Sequence, residues 1–253
     1  MRNPKNRFKD ALKAGKPQVG LWNSIAGYSV AELLGGAGYD WVLVDAEHSA
    51  IETIDILPAL QALAGTPECS ALVRLAGNDP ILFKRVLDMG AQTIMVPFIQ
   101  SRSEAEAAVA AMRYGPSGIR GMAGMTRATR YGKVENYFKE AQEELCLVLQ
   151  VESVAGLTAL EDIATVEGVD GIFIGPADLS ASMGYPGELE HPEVEAAIAD
   201  AFDRLRAIDM PVGIMCLNVP AAKRWIERGS SITAVGVDLV MLADSVAALR
   251  AEF

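Results

Sequence analysis

The chain is 253 residues long and carries 33 acidic against 22 basic side chains, a net charge of −11, with 51% of its residues hydrophobic. Such a length can bury a full core, and so acidic a surface repels phosphate backbones, which excludes nucleic acid as an expected partner. No apolar run reaches the ~18 residues needed to cross a bilayer, and the charged opening MRNPKNRFKD lacks the apolar segment of a secretory signal. Cys69, Cys146 and Cys216 show neither paired nor zinc spacing. Free thiols without a signal predict a cytoplasmic protein with no membrane partner.

From the N-terminus, VGLW (19–22) is the first short apolar run that reads as a strand, and YSVAELLGGAG (28–38) is the first helical pattern. WVLV (41–44) leads to ETIDILPALQALAG (52–65), ALVR (71–74) to DPILFKRVLDMGA (79–91), and TIMV (93–96) to SEAEAAVAAMRYG (103–115). A long connection, 114–137, comes before LVLQV (147–151), which VAGLTALEDIATV (154–166) follows. GIFI (171–174) precedes HPEVEAAIADAFDRLRAI (191–208), VGIM (212–215) precedes VPAAKRWIERGS (219–230), and ITAVGV (232–237) is the last strand. Runs this apolar are those of parallel strands covered on both faces. Several helical patterns open on Asp, Ser or Pro, and many end on Gly. Eight strands alternating with helices, with no linker or composition shift, predict an α/β protein: a single (β/α)8 TIM barrel over residues 1–253. A loop as long as 114–137 is more often functional than idle.

In such a barrel the chemistry sits at the C-terminal ends of the strands. The first strand delivers Trp22 and Asn23, and the second delivers Asp45, Glu47 and His48. The third ends in Arg74, the fourth in Pro97-Phe98, and the fifth carries Gln150 and Glu152 on one side. The sixth breaks at a Gly175-Pro176-Ala177-Asp178 turn, and the eighth runs into Asp238. Glu152 and Asp178 thus stand at the mouths of neighbouring strands, about 5 Å apart laterally. Two carboxylates that close repel. A divalent cation accepts both as ligands and leaves positions for water and substrate, the habit of Mg²⁺ or Mn²⁺. The plainer alternative pairs Glu152 with an arginine and uses Asp178 as a helix cap.

His48 has an imidazole that titrates near neutrality and suits general acid–base work, with Asp45 three residues before it and Arg74 on the next strand. The Arg74 fork suits a carboxylate or an oxyanion, and a salt bridge to Asp45 or Glu47 is equally compatible. Asp88, ending the helix after the third strand, is remote from its own barrel mouth; its non-structural use is in a neighbouring subunit's site. GGAGYD (35–40) lacks the third glycine of a dinucleotide fingerprint, and no phosphate loop or G-x-S-x-G elbow occurs. No lysine falls at a strand end, which sets a Schiff base aside.

VDAEHS, VRLAGNDP, LDMGAQTIMVPFIQ, RYGPSGIRG, LQVESVAGL, VDGIFIGPADLSASMGYPG and AVGVD together resemble the HpcH/HpaI aldolases from about residue 7 onward. These are metal-dependent class II pyruvate aldolases typified by 4-hydroxy-2-oxoheptanedioate aldolase. The resemblance implies reversible aldol addition of pyruvate to an aldehyde, and cleavage of 4-hydroxy-2-oxo acids such as those of aromatic catabolism. It implies Glu152 and Asp178 as ligands of Mg²⁺, Mn²⁺ or Co²⁺, with pyruvate chelating the metal through its keto and carboxylate oxygens. The carboxylate would rest on the N–H groups of Ala177 and Asp178, beyond Gly175 and Pro176. Arg74 would stabilise the enolate and the aldol oxygen. His48, supported by Asp45 and by Asp88 of an adjacent subunit, would carry the proton transfers. Gln150 would lie near the metal, and Trp22 would wall the aldehyde side.

The resemblance further implies a homohexamer, a dimer of trimers, with the C-terminal helix exchanged between subunits. RGMAGM (120–125) stands where many relatives read RGVGS, and IMCLN (214–218) also departs from the usual sequence. Both departures bear on the aldehyde partner. The alternatives are an acyl-CoA lyase of the malyl-CoA or citryl type, for which no added CoA-binding segment is evident, and a non-catalytic barrel that binds a keto acid.

Overall fold

In the computed structural model, which describes residues 1–253, eight parallel strands close into a barrel in sequence order. They are β1 (Gln18–Asn23), β2 (Trp41–Asp45), β3 (Ser70–Arg74), β4 (Thr93–Val96), β5 (Cys146–Val151), β6 (Gly171–Ile174), β7 (Val212–Met215) and β8 (Ile232–Val237). Each pairs with the next, and β8 closes on β1. The expected (β/α)8 architecture is the one observed.

The pleat divides each strand between two cores. On β2, Val42 and Val44 face outward into the layer shared with the surrounding helices, while Trp41 and Leu43 face the barrel interior. Trp41 pairs in register with Gly20, and a Cβ at Gly20 would lie 2.1 Å from the indole. Only glycine lets that ring cross the barrel. Helix α1 (Arg7–Lys13) inserts Phe8 and Leu12 into the same interior cluster and plugs the N-terminal end. Filled below, the barrel is open to chemistry only at the C-terminal mouth.

The outer layer follows the strands: α2 (Tyr28–Gly35), α3 (Thr53–Leu63), α4 (Pro80–Asp88), α5 (Arg102–Met112), α6 (Tyr137–Glu144), α7 (Val154–Thr158), α8 (Leu160–Ala164), α9 (Pro176–Ser182), α10 (Pro192–Ala207), α11 (Val219–Glu227) and α12 (Asp238–Ala251). The pattern at 154–166 reads as one helix but forms two, interrupted at Ala159. The Gly175–Asp178 segment is not a turn. Gly175 caps α9, with Pro176 as its first residue and Asp178 in its first turn, the place where proline and an acid favour a helix start. On α12 only Asp238 is buried, and Leu239, Leu242, Val246 and Leu249 are exposed. No helix is long and apolar enough to cross a membrane.

Candidate active site

Strand register assembles the mouth. Asp45 and Arg74 end β2 and β3 as direct partners. Arg74 donates through Nε to Asp45 Oδ1 at 2.8 Å and through Nη2 to Oδ2 at 2.7 Å, a bidentate pair with both side chains buried. Its remaining nitrogen, Nη1, lies 2.8 Å from Glu47 Oε2 and 3.5 Å from Gln150 Oε1. The Glu47 oxygen is buried yet off the N–H direction, so that contact is charge against charge rather than a hydrogen bond. The salt bridges open to Arg74 from the sequence both form.

Beyond β4, on the β5–β6 pair, Val151 partners Ile174, which sets Glu152 beside Gly175. Glu152 is buried, accepts from the Phe98 N–H at 2.8 Å through Oε1, and is bonded by Gln150 Nε2 at Oε2. Phe98 holds a left-handed backbone, φ 57°, to aim that N–H. A bulky residue adopts this conformation only where the surroundings impose it. A Cβ on Gly175 would stand 2.2 Å from Glu152 Oε2. Glycine here is space for a carboxylate.

Burial, and then the charge of Glu47, push the Glu152 carboxyl up to about 7, with Asp178 adding to the rise and the hydrogen bonds from Gln150 and Phe98 opposing it. Burial likewise raises Glu47, against the pull of Arg74 and His48. Asp178 and Ala177 are exposed at the opening of α9. N–H groups of a first helical turn have no intrahelical acceptor.

His48 is exposed, with Nε2 3.7 Å from Glu47 Oε1. Asp45 supports it only through the backbone: Oδ1 accepts from His48 N at 3.4 Å and from Glu47 N at 3.0 Å, and the Asp45 carboxylate is otherwise engaged by Arg74. Trp22 lies beneath the site: its ring centroid is 5.3 Å from Arg74 Cζ and packs on Trp41 and Phe173. Within one chain Trp22 is therefore floor rather than wall. Asp88, ending α4, pairs with Arg120 at 2.9 Å and touches none of these residues. Asp238, counted with the mouth polar groups, is a latch. It accepts from Asn23 Nδ2, Ser24 N, Ile25 N and Leu239 N at 2.8–3.1 Å and ties the loop after β1 to α12.

The family model for HpcH/HpaI aldolase/citrate lyase matches residues 18–245. This chain belongs to that family. It is 53% identical over 253 residues to a pyruvate aldolase of Rhizobium etli, covering 100% of this chain and 99% of the relative. It is 49% identical over 250 residues to a hydroxypyruvate/pyruvate aldolase of Sagittula stellata (99% and 98% covered). A 4-hydroxy-2-oxo-heptane-1,7-dioate aldolase of Salmonella heidelberg is 47% identical over 250 residues (98% and 95% covered). The crystal structure of an HpcH/HpaI aldolase/citrate lyase family protein from Burkholderia cenocepacia superposes with a TM-score of 0.94 at 36% identity, covering 98% of this chain and 99% of that one.

The HpcH/HpaI mouth in this chain has the donor set for a hard divalent cation. Glu47 and Glu152 stand in the field of Asp178, and Glu47 further raises the proton affinity of Glu152; Arg74 and His48 oppose the rise at Glu47, and the Gln150 and Phe98 hydrogen bonds oppose it at Glu152. Hard cations take oxygen ligands, and glycine at 175 leaves the Glu152 carboxylate its room. No three acidic, histidine or cysteine side chains converge as a metal-binding group; a cation held by Glu152 and Asp178 would have its other positions open to water and substrate. Glu47, which the sequence reading considers only as a salt-bridge partner of Arg74, also bears on Glu152. Its signal was available: it stands two residues beyond Asp45, and alternate residues share a side in an extended segment.

Proposed function

We propose that this protein is a pyruvate aldolase, adding pyruvate reversibly to an aldehyde and cleaving 4-hydroxy-2-oxo acids, with a divalent cation such as Mg²⁺, Mn²⁺ or Co²⁺ held by Glu152 and Asp178. The enzyme class, a carbon–carbon lyase, follows from the family. The observation that carries the reading is the buried Glu152 carboxylate, kept beside Gly175 in the like-charge field of Glu47 and Asp178. A bound divalent cation would polarise the pyruvate C2 carbonyl and acidify its C3 hydrogens.

The remaining work falls to this chain's side chains. Arg74, immobilised by Asp45, presents Nη1 toward the mouth, a fixed positive charge for oxygen that becomes anionic. Because Asp45 already locks the fork, no reorganisation is required when that charge develops. Ala177 and Asp178 N–H groups receive the pyruvate carboxylate. Gln150, bonded to Glu152, holds that ligand in place. His48 is exposed and therefore reaches an incoming substrate. In cleavage it takes the C4 hydroxyl proton as the C3–C4 bond breaks and the aldehyde leaves, and a proton is then delivered to C3 to give pyruvate. In the addition direction pyruvate first loses a C3 proton, the C3–C4 bond forms, and a proton passes to the new alkoxide.

Asp88 serves the site of an adjacent subunit in a homohexamer, a dimer of trimers. The apolar, uncovered α12 supports its exchange between subunits. Three buried, unpaired cysteines fit a reducing cytoplasm.

The test is pyruvate release from a panel of 4-hydroxy-2-oxo acids, before and after chelation and re-addition of each metal. Cleavage that disappears with chelator and returns with metal is expected. Full turnover in thoroughly chelated protein overturns the metal assignment, and failure to exchange pyruvate C3 hydrogens into D₂O overturns the enzyme reading in favour of a binder.

A further inference from the structure

We propose that Arg120 is a positioning residue for this reaction, orienting the Asp88 carboxylate for delivery into the adjacent subunit's site. The inference rests on the reading in which Asp88 acts in trans, and it concerns a side chain in the long 114–137 connection to which that reading gives no role.

Asp88 is the last residue of α4, where free carbonyls make a carboxylate unfavourable. Something must hold the charge there, and Arg120 does so: Nη2 donates to Asp88 Oδ1 at 2.9 Å. Its side chain is 0% exposed, a rare state for an arginine. The guanidinium lies over the Tyr114 ring, Cζ to centroid 4.5 Å, and Tyr114 is braced edge-on by Phe138 at 5.3 Å. The backbone is pinned as well, Arg120 N donating to Arg113 O at 2.9 Å. The turn that brings it back requires glycine at 118, where a Cβ would stand 2.3 Å from Arg113 O and 2.5 Å from Ala110 O.

The hydrogen bonding is lopsided. Nε and Nη1 of Arg120 are buried and have no acceptor in the chain. A guanidinium placed for stability alone would have its donors satisfied. This one is fixed by ring, backbone and packing, and makes a single side-chain hydrogen bond. What that arrangement determines is where the Asp88 carboxylate points. Asp88 Oδ1 is taken, while the partly exposed carboxylate keeps Oδ2 for another group. Ile81 on the same helix, and Ile119, Met122 and Met125 in the 114–137 connection, are all exposed, apolar surface suited to contact with a second copy of this chain.

The test uses Asp88→Asn, Arg120→Gln and Arg120→Lys with His48→Ala, each assembled alone and in one-to-one mixed oligomers. Arg120→Gln is expected to lower kcat about as far as Asp88→Asn, with KM for the substrate little changed. Asp88→Asn combined with Arg120→Gln in one chain should be no worse than either single variant, because both remove the same interaction. Mixing Arg120→Gln with His48→Ala subunits should restore activity toward about a quarter of wild type, the share of random neighbour pairs in which an intact His48 meets an intact Arg120.

If Asp88→Asn is rescued by His48→Ala subunits but neither Arg120 variant is, Arg120 acts only within its own fold; the proposal is overturned and the shared site stands. If nothing is rescued, Asp88 does not work in trans, and both ideas fail. Arg120→Lys, which keeps charge without the fork, carries the same comparison if Arg120→Gln does not assemble. An assembled Arg120→Gln enzyme with wild-type kcat also overturns the proposal.

Discussion

Gly175→Ala isolates the mouth geometry from everything else in the barrel. Gly175 sits at φ −93°, ψ 100°, backbone that alanine adopts without penalty, so the whole effect must come from the added methyl. That methyl would lie 2.2 Å from Glu152 Oε2, and 2.9 Å from both Gln150 Nε2 and Glu152 Cβ. Glu152 cannot yield freely, because Phe98 N and Gln150 hold its two oxygens. Forcing a carbon into such a place destabilises a protein by about 1–3 kcal/mol. Moving a reacting group by ~1 Å lowers rate on the order of 10²-fold. The expected variant is therefore folded, with weakened Mn²⁺ binding by calorimetry and pyruvate release reduced about a hundredfold. Gly15→Ala is the control. Gly15 has φ 64° and nothing within 4 Å of an added Cβ, so it should lose about 1 kcal/mol of stability and no turnover. Wild-type Mn²⁺ affinity and turnover in Gly175→Ala would refute the reasoning.

Three further outcomes are expected. His48→Ala should lower aldol cleavage by about 10²–10⁴-fold while leaving Mn²⁺ affinity in place; unchanged cleavage makes the imidazole a bystander. Asp238→Ala removes the acceptor of four hydrogen bonds and should destabilise the barrel by about 2–4 kcal/mol in urea unfolding, and an unaltered midpoint would dismiss the latch. Burial pushes the Cys69 and Cys216 thiols up to about 11. Both should resist alkylation in the native protein at pH 8 and react only as pH approaches 11 or on unfolding. Because the folded state retains these protons more tightly, their contribution to stability is full below the unfolded thiol range and falls as pH climbs above it. Rapid native labelling at pH 8 contradicts that burial.

The barrel was legible because its strands are short, apolar on both faces and regularly spaced, and the observed bounds of β2, WVLV plus Asp45, differ by one residue from the reading. Elements whose stability comes from context were not. Helix α6 is short and highly charged, with only Tyr137, Ala141 and Glu144 buried, so no apolar stripe announces it. Helix α12 is apolar all round, with no periodicity to read; only the family resemblance suggested a helix there. At 175–178 the Gly and Pro looked like a turn, although Pro followed by an acid is also how a helix opens.

The site divides in the same way. Residues at strand ends, Arg74 and Glu152 among them, were found by position alone. For Arg74 the sequence left open an anion from substrate or a salt bridge to Asp45 or Glu47, and strand register brought both carboxylates to it. Arg120 was invisible because a buried arginine and an exposed one look identical in sequence.

The remaining consequence concerns stability rather than rate. Asp45 is paired with Arg74, while Glu47, Glu152 and Asp178 bear on one another as like charges, so the mouth without a bound cation carries repulsion that works against folding. A ligand that binds only the folded state stabilises it by RT ln(1 + [L]/Kd), about 2.7 kcal/mol at a hundredfold excess over Kd. For a chain of this size that raises Tm by roughly 5–10 °C. Mn²⁺ should therefore lift the thermal midpoint of the wild-type protein even with no substrate present. Glu152→Gln keeps the shape of the side chain but removes one carboxylate from the cluster. It should raise the midpoint of the metal-free protein, because repulsion is relieved, and should abolish the further rise on adding Mn²⁺. The two shifts have opposite signs relative to wild type, which separates them from a general loss of folding. A metal-insensitive wild-type midpoint, or a Glu152→Gln midpoint that still climbs with Mn²⁺, would mean that the cluster is a salt-bridge network closed upon Arg74 and not a cation site.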